Sequence, residues 1–203
     1  MAVILDVVGS MLIAGFVLMM GMKMNSTMVN SRDSFNADVT VQQNMVALVQ
    51  SIEYDFRKMG YRVDDPTQVI RVADSSHIRF LGDVDDDGTI DTVDWILGGL
   101  VASSPNPNDR LLIRSVSPSA AMGGATAISI PGITEFRLRF LNQEGVPALT
   151  LGQIWLVETT IRLESPWKTQ NRDVLEQSYD DWGYSAAFWR QTRLASRNLK
   201  RHG

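Results

Sequence analysis

The chain contains no cysteine, which removes disulfide scaffolds, thiolate zinc sites, iron–sulfur clusters and cysteine nucleophiles together. The same absence leaves the redox compartment open, since a cysteine-free chain persists on either side of a membrane. Histidine is almost as scarce: His77 and His202 are the only two. His77 precedes Ile-Arg-Phe in a strand-like stretch and reads as structural, and His202 lies in the terminal tail. No nucleophile elbow, phosphate-binding glycine loop or zinc pair is present, so the expectation is a protein that is not an enzyme. Positive charge is not in excess. Nineteen Lys and Arg face twenty-three Asp and Glu, a formal charge of −4, so no nucleic-acid partner is expected. Proline is missing from the first 65 residues, and no Lys or Arg precedes Lys23.

What is present is unevenly distributed. The 203 residues suggest one domain, or one domain with an appendage. A composition 44% hydrophobic and 21% charged excludes wholesale disorder. From Ala2 to Met22 the chain is AVILDVVGSMLIAGFVLMMGM, with Asp6 its one charge. Twenty-one helical residues at about 1.5 Å each match the ~30 Å hydrocarbon core of a bilayer. The run shows no polar stripe of the kind a buried core helix carries, and it has no basic n-region of the kind a secretory signal carries. Membrane insertion at some stage is the expectation. Asp6 is then either a functional carboxylate in an apolar setting or a wet residue at the interface. Gly9, Gly15 and Gly21 allow close helix packing.

Polar residues begin at Asn25. Phe35, Val39, Met45, Leu48, Val49, Ile52, Phe56 and Met59 recur mostly at steps of three and four, one face of an amphipathic helix. Gln42, Gln43, Gln50, Glu53, Arg57 and Lys58 occupy the other face, and Gly60 offers a C-terminal cap. The pattern predicts one long helix of about 55 residues, or two with a break near Asn25–Asp33. From Asp65 the period changes to two, with candidate strands at Gln68–Val72, His77–Leu81, Val93–Leu97, Arg110–Val116, Ile133–Leu141 and Ile154–Glu164. The expected fold is α+β: a long N-terminal helix whose second half packs on an antiparallel sheet of five or six strands. The expected divisions are 1–24 (apolar helix), 25–60 (amphipathic continuation), 61–165 (sheet head) and 166–203 (C-terminal extension).

The sharpest local motif is acidic. Asp83, Asp85, Asp87, Asp91 and Asp94 stand at positions 1, 3, 5, 9 and 12 of a loop with Gly88 at position 6 and the Thr89 carbonyl at position 7. That is the ligand spacing of an EF-hand calcium loop, with Asp for Glu at the last position. So many carboxylates close together repel unless a cation screens them. Calcium is therefore the expected cofactor, the alternative being a solvated acidic hairpin. The flanks read as strands, so the expected site staples a hairpin rather than opening and closing.

After Ser185 the chain carries Arg190, Arg193, Arg197, Lys200 and Arg201 without an acid. Steps of three and four suggest one helical face. With Trp189 as an apolar anchor, Arg190, Arg193 and Arg197 are candidates for a contact with a neighbouring copy through acids such as Asp173, Glu176, Asp180 and Asp181. The bland alternative is a solvated terminus.

The apolar start with its early acid, the run QQNMVALVQSIEYDFRKMGYRV and the strands after it together resemble the type IV pilin superfamily. The resemblance is to the larger W-type minor pilins and J-type pseudopilins. It rests on Asp55, Arg57 and Gly60 at the helix end, Ile78-Arg-Phe80, and the late strand from Phe136 to Phe140. It implies a subunit of a pilus-like filament whose partners are copies of itself or other pilin-like subunits. It also implies residence in the inner membrane before assembly, then a periplasmic or cell-surface filament. In that family a leader peptidase cuts before the helix, and an acid at mature position five pairs with a neighbour's N-terminal amine. With Ala2 as the first mature residue, Asp6 is the fifth, and Gly9 and Gly15 join it as assembly residues. A monomeric membrane-anchored calcium-dependent adhesion or receptor module is the alternative.

Overall fold

The computed structural model describes residues 2–118, 126–170 and 182–194. One helix, α1, runs without a break from Ala2 to Lys58, 57 residues and about 85 Å. No break occurs near Asn25–Asp33. No proline interrupts this span, and serine and threonine hydroxyls within it bond back to carbonyls three or four residues earlier, as Ser26 and Thr27 do to Lys23. These polar side chains therefore satisfy themselves without opening the helix.

Seven strands follow in one antiparallel meander: β1 Ile70–Asp74, β2 His77–Gly82, β3 Asp91–Leu100, β4 Arg110–Pro118, β5 Thr126–Leu141, β6 Leu156–Gln170 and β7 Trp182–Leu194. Six of them contain or overlap the strands expected from alternation, and β7 is an addition. The 16-residue β5 serves two neighbours. Its first half pairs with β4 and its second half with β6, and the register shifts on both sides at Ile133, next to Gly132 at φ +89°. Glycine adopts that backbone without strain, so the long strand bends there.

The core lies between the second half of α1 and the inner face of the sheet. Val41, Met45, Leu48, Ile52, Phe56 and Met59 are buried at steps of four and three. Against them pack Ile78, Phe80, Val93, Trp95, Leu112, Phe136, Leu138, Val157, Ile161 and Leu163. Phe56 meets Phe80 edge to face at 5.8 Å between ring centres. Each such side chain contributes roughly 1.5–3 kcal/mol through removal from water. Phe35, expected on the buried face, is 56% exposed, whereas its neighbour Ser34 is buried, so Phe35 lies off the seam.

The helix ends where the sequence places its cap. Gly60 has φ +75°, its N–H donates to the Leu81 carbonyl at 2.8 Å, and the Asp83 N–H donates to the Tyr61 carbonyl at 3.1 Å. A Cβ on Gly82 would collide with the Lys58 carbonyl oxygen. Only glycine lets the end of β2 pass so close to the last turn of α1.

The tail differs from expectation. β6 continues past residue 165 to Gln170, and residues 182–194 form β7 alongside it, so the sheet occupies part of the expected C-terminal extension. Arg190 and Arg193 lie in that strand, Arg190 opposite Thr160, and the expected helical face is replaced by strand pairing. Trp189, opposite Ile161, is half-buried against the chain's own core. Arg197, Lys200 and the acids Asp173, Glu176, Asp180 and Asp181 lie outside the described residues.

Candidate functional site: an acidic loop clamped to the end of the helix

The loop between β2 and β3 holds the acidic motif. Its backbone turns through the left-handed region twice, at Asp86 (φ +63°) and Gly88 (φ +89°). Glycine takes that region freely and aspartate tolerates it. Local hydrogen bonds tighten the turn: the Asp87 N–H donates to Asp85 Oδ1 at 3.2 Å, and the Thr89 N–H donates to Asp87 Oδ1 at 2.6 Å.

Asp83, Asp85 and Asp91 converge, each bringing a carboxylate oxygen within 4.8 Å of the others. Asp83 is fully buried and Asp91 is 3% exposed, whereas Asp85 faces solvent. Asp83 Oδ2 accepts from the Gly88 N–H (3.1 Å) and from Arg62 Nη1 (2.8 Å). Asp83 Oδ1 is buried and has no hydrogen-bond partner among the described residues. An orphaned carboxylate oxygen out of water is costly, and a cation is the simplest group that satisfies it. Asp91 Oδ2 accepts from the Val84 N–H at 3.1 Å. Burial pushes the Asp91 carboxyl above its ordinary pKa; the Val84 N–H opposes that, and the charges of Asp85, Asp87 and Asp83 add to it.

Two of the expected ligands stand elsewhere. Asp87 is exposed and outside the converging trio, its Oδ1 engaged by the Thr89 N–H. Asp94 is not brought to the cluster at all: its carboxylate accepts from Arg79 Nε at 2.8 and 3.0 Å and lies 2.9 Å from His77 Nε2. The reason is strand geometry. Asp91, Val93 and Trp95 share the buried face of β3, so Asp94, an odd number of residues from Asp91, faces the other way, opposite Arg79. In an EF-hand a helix begins here and returns the last ligand to the loop; a strand does not.

The loop is clamped to the helix. The Tyr54 hydroxyl donates to the Val84 carbonyl at 2.7 Å, and Lys58 Nζ lies 2.6 Å from Asp86 Oδ2. The Lys58 hydrogen bond holds the Asp86 carboxyl below its ordinary pKa. Arg62, itself at φ +61°, is aimed back onto Asp83 from just beyond the helix end.

One residue of structural weight carried no predicted role in packing. Asp55 is fully buried, yet its carboxylate accepts from Trp95 Nε1 (2.8 Å), Arg114 Nε (2.7 Å) and Arg114 Nη2 (2.8 Å). Two-pronged arginine binding and an indole N–H join α1 to β3 and β4 in the middle of the core. The sequence signal for this was available: Asp55 sits between Ile52 and Phe56 on the apolar stripe, where a carboxylate needs a partner.

The other expected assembly residues lie on the far half of α1. Asp6 is exposed, and Gly9 and Gly15 have open space where a Cβ would stand. Apart from glycines, every side chain described from Val3 to Val29 is exposed, including Leu12, Phe16 and Leu18 at 60–69%. This helix is long and apolar enough to cross a membrane, and none of its most apolar stretch is buried in the head. No protein-family model, curated protein or solved structure matches the chain.

Proposed function

We propose that this protein is a structural subunit of a type IV pilus-like filament, held together by the exposed half of α1. The carrying observation is one uninterrupted helix with its first half bare and apolar and its second half packed on its own head. Such an apolar surface far exceeds the few hundred Å² that monomers leave in water, so something covers it. A bilayer covers about 30 Å of helix, whereas Val3–Val29 spans about 40 Å. Met24, Met28 and Val29 carry apolar exposure beyond the Ala2–Met22 run. A bundle of like helices would bury the Ala2–Met22 run together with the Met24, Met28 and Val29 side chains interleaved with polar residues beyond it, and small residues such as Gly9 and Gly15 favour close approach within it. Asp6 then sits in an apolar bundle and pairs with a neighbour's N-terminal amine, as in the pilin family. Losing a buried partner costs about 3–5 kcal/mol.

The competing reading, a monomeric membrane-anchored module, needs only the part of the helix that crosses the bilayer. Negative-stain microscopy of sheared surface or periplasmic material, with antibody against this chain, separates the two. Labelled filaments that disappear in an Asp6→Ala strain support assembly. Chain recovered only as monomer from membranes, or filaments of normal number and length with Asp6→Ala, overturns it.

A further inference from the structure

We infer that Asp83, Asp85 and Asp91 form a calcium site, and that the cation enters by displacing the Arg62 guanidinium from Asp83. This is independent of filament assembly. Three observations converge on it. Carboxylate oxygens from the three residues lie within 4.8 Å of one another, close enough for one ion at the 2.3–2.6 Å typical of calcium–oxygen bonds. Asp83, a member of this cluster, is fully buried, and its Oδ1 has no hydrogen-bond partner among the described residues. Arg62 supplies one contact, to Oδ2 alone, so the protein's own cation leaves the other oxygen unsatisfied.

Charge points the same way. Asp83, Asp85, Asp86, Asp87 and Asp91 face two basic groups, Lys58 and Arg62, of which Lys58 is engaged at Asp86 on the outside of the turn. The oxygen-only donor set suits a hard cation, and the half-buried Thr89 at the seventh loop position offers a carbonyl. Arg62 is free to leave. Its side chain is 45% exposed and lies 5.3 Å from the Tyr61 ring, a second resting place for a guanidinium that has given up Asp83. The loop is therefore a two-state latch, closed internally by Arg62 or externally by calcium. Through Tyr54–Val84 and Lys58–Asp86, either state is tied to the last turn of α1.

The test is calcium titration calorimetry of the full chain in detergent micelles, after chelation and with calcium chloride as the only added ion, alongside thermal melting. The wild type is expected to bind with a Kd of about 10⁻⁴ to 10⁻³ M and to melt higher with calcium. Asp85→Asn, an exposed change compatible with folding, is expected to weaken binding by about tenfold or more through lost ligand charge. Arg62→Ala removes the internal competitor and is expected to tighten binding several-fold; Arg62→Gln checks this with a neutral side chain of similar length. Asp94→Asn is expected to bind like the wild type. Absence of binding heat and of any melting shift in the wild type at about 10⁻² M calcium overturns the site, as does binding unchanged by Asp85→Asn. Binding that Arg62→Ala and Arg62→Gln both leave unchanged or weaker overturns the displacement.

Discussion

The two halves of α1 share one backbone and opposite surroundings. From Ser34 to Phe56 the helix buries a stripe at steps of three and four; from Val3 to Val29 its side chains are exposed on all sides, glycines apart. One aspartate from each half marks the contrast. Asp55 is fully buried and bound by Trp95 and Arg114, whereas Asp6 is exposed. Glycine divides the same way. Gly82 on β2 lets the end of the buried half sit against the sheet, while Gly9, Gly15 and Gly21 in the bare half meet nothing. One half of the helix is thus completed by its own chain. The other is apolar from Ala2 to Met22 and, among the described residues, is not covered by the chain's own head.

The two aspartates give the largest expected contrast. Asp55→Ala leaves Arg114, only 20% exposed in its side chain, and the Trp95 N–H without their partner. Removing one member of a buried pair costs about 3–5 kcal/mol, so melting of the head, followed by the near-ultraviolet signal of its tryptophans, should fall steeply. Asp6→Ala should leave that melting curve in place. Equal shifts in both variants would erase the distinction between the halves.

An apolar pair tests the same contrast with less at stake. Ile52 is fully buried between α1 and the sheet, and Ile52→Ala should cost the head about 2–5 kcal/mol by chemical denaturation. Leu12, 60% exposed, leaves no cavity when truncated, so Leu12→Ala should not alter head stability. A head destabilised by Leu12→Ala would mean that the bare half folds back on it.

The legible parts of this molecule were those in which a single period runs unbroken. The 57-residue helix follows from an absence of proline and a change from all-apolar to striped polarity. Phe136-Arg-Leu-Arg-Phe140 alternates in charge, and Phe136 and Leu138 are buried. β7 escaped because both its faces carry apolar residues. Ala187 and Trp189 pack inward while Phe188 is 62% exposed, so no alternation shows, and basic residues three apart imitate a helix. In the acidic loop the spacing identified the trio Asp83, Asp85 and Asp91, but it also nominated Asp94, which a strand turns to the opposite face. The roles of Arg62 and of Asp55 depend on partners 21, 40 and 59 residues away along the chain, and local patterning holds no record of such distances.

The glycines give the smallest and most discriminating contrast. Gly82→Ala drives a methyl group into the Lys58 carbonyl, a backbone atom that yields only if the helix end moves. Overpacking of this kind costs about 1–3 kcal/mol, and it should appear as a lower head melting temperature. Gly15→Ala should leave the head of an isolated chain as stable as before. Its Cβ meets nothing within 4 Å, and alanine is favoured over glycine inside a helix by about 0.5–1 kcal/mol. Circular dichroism in detergent should therefore show unchanged or slightly higher helicity and an unchanged head transition. If the proposed filament forms, the same methyl group occupies space that close-packed neighbours would require, and filament yield is expected to fall although the subunit is no less stable. Normal filaments from Gly15→Ala would place Gly15 away from the helix–helix contact, and a lower head melting temperature would show that the two halves are coupled after all.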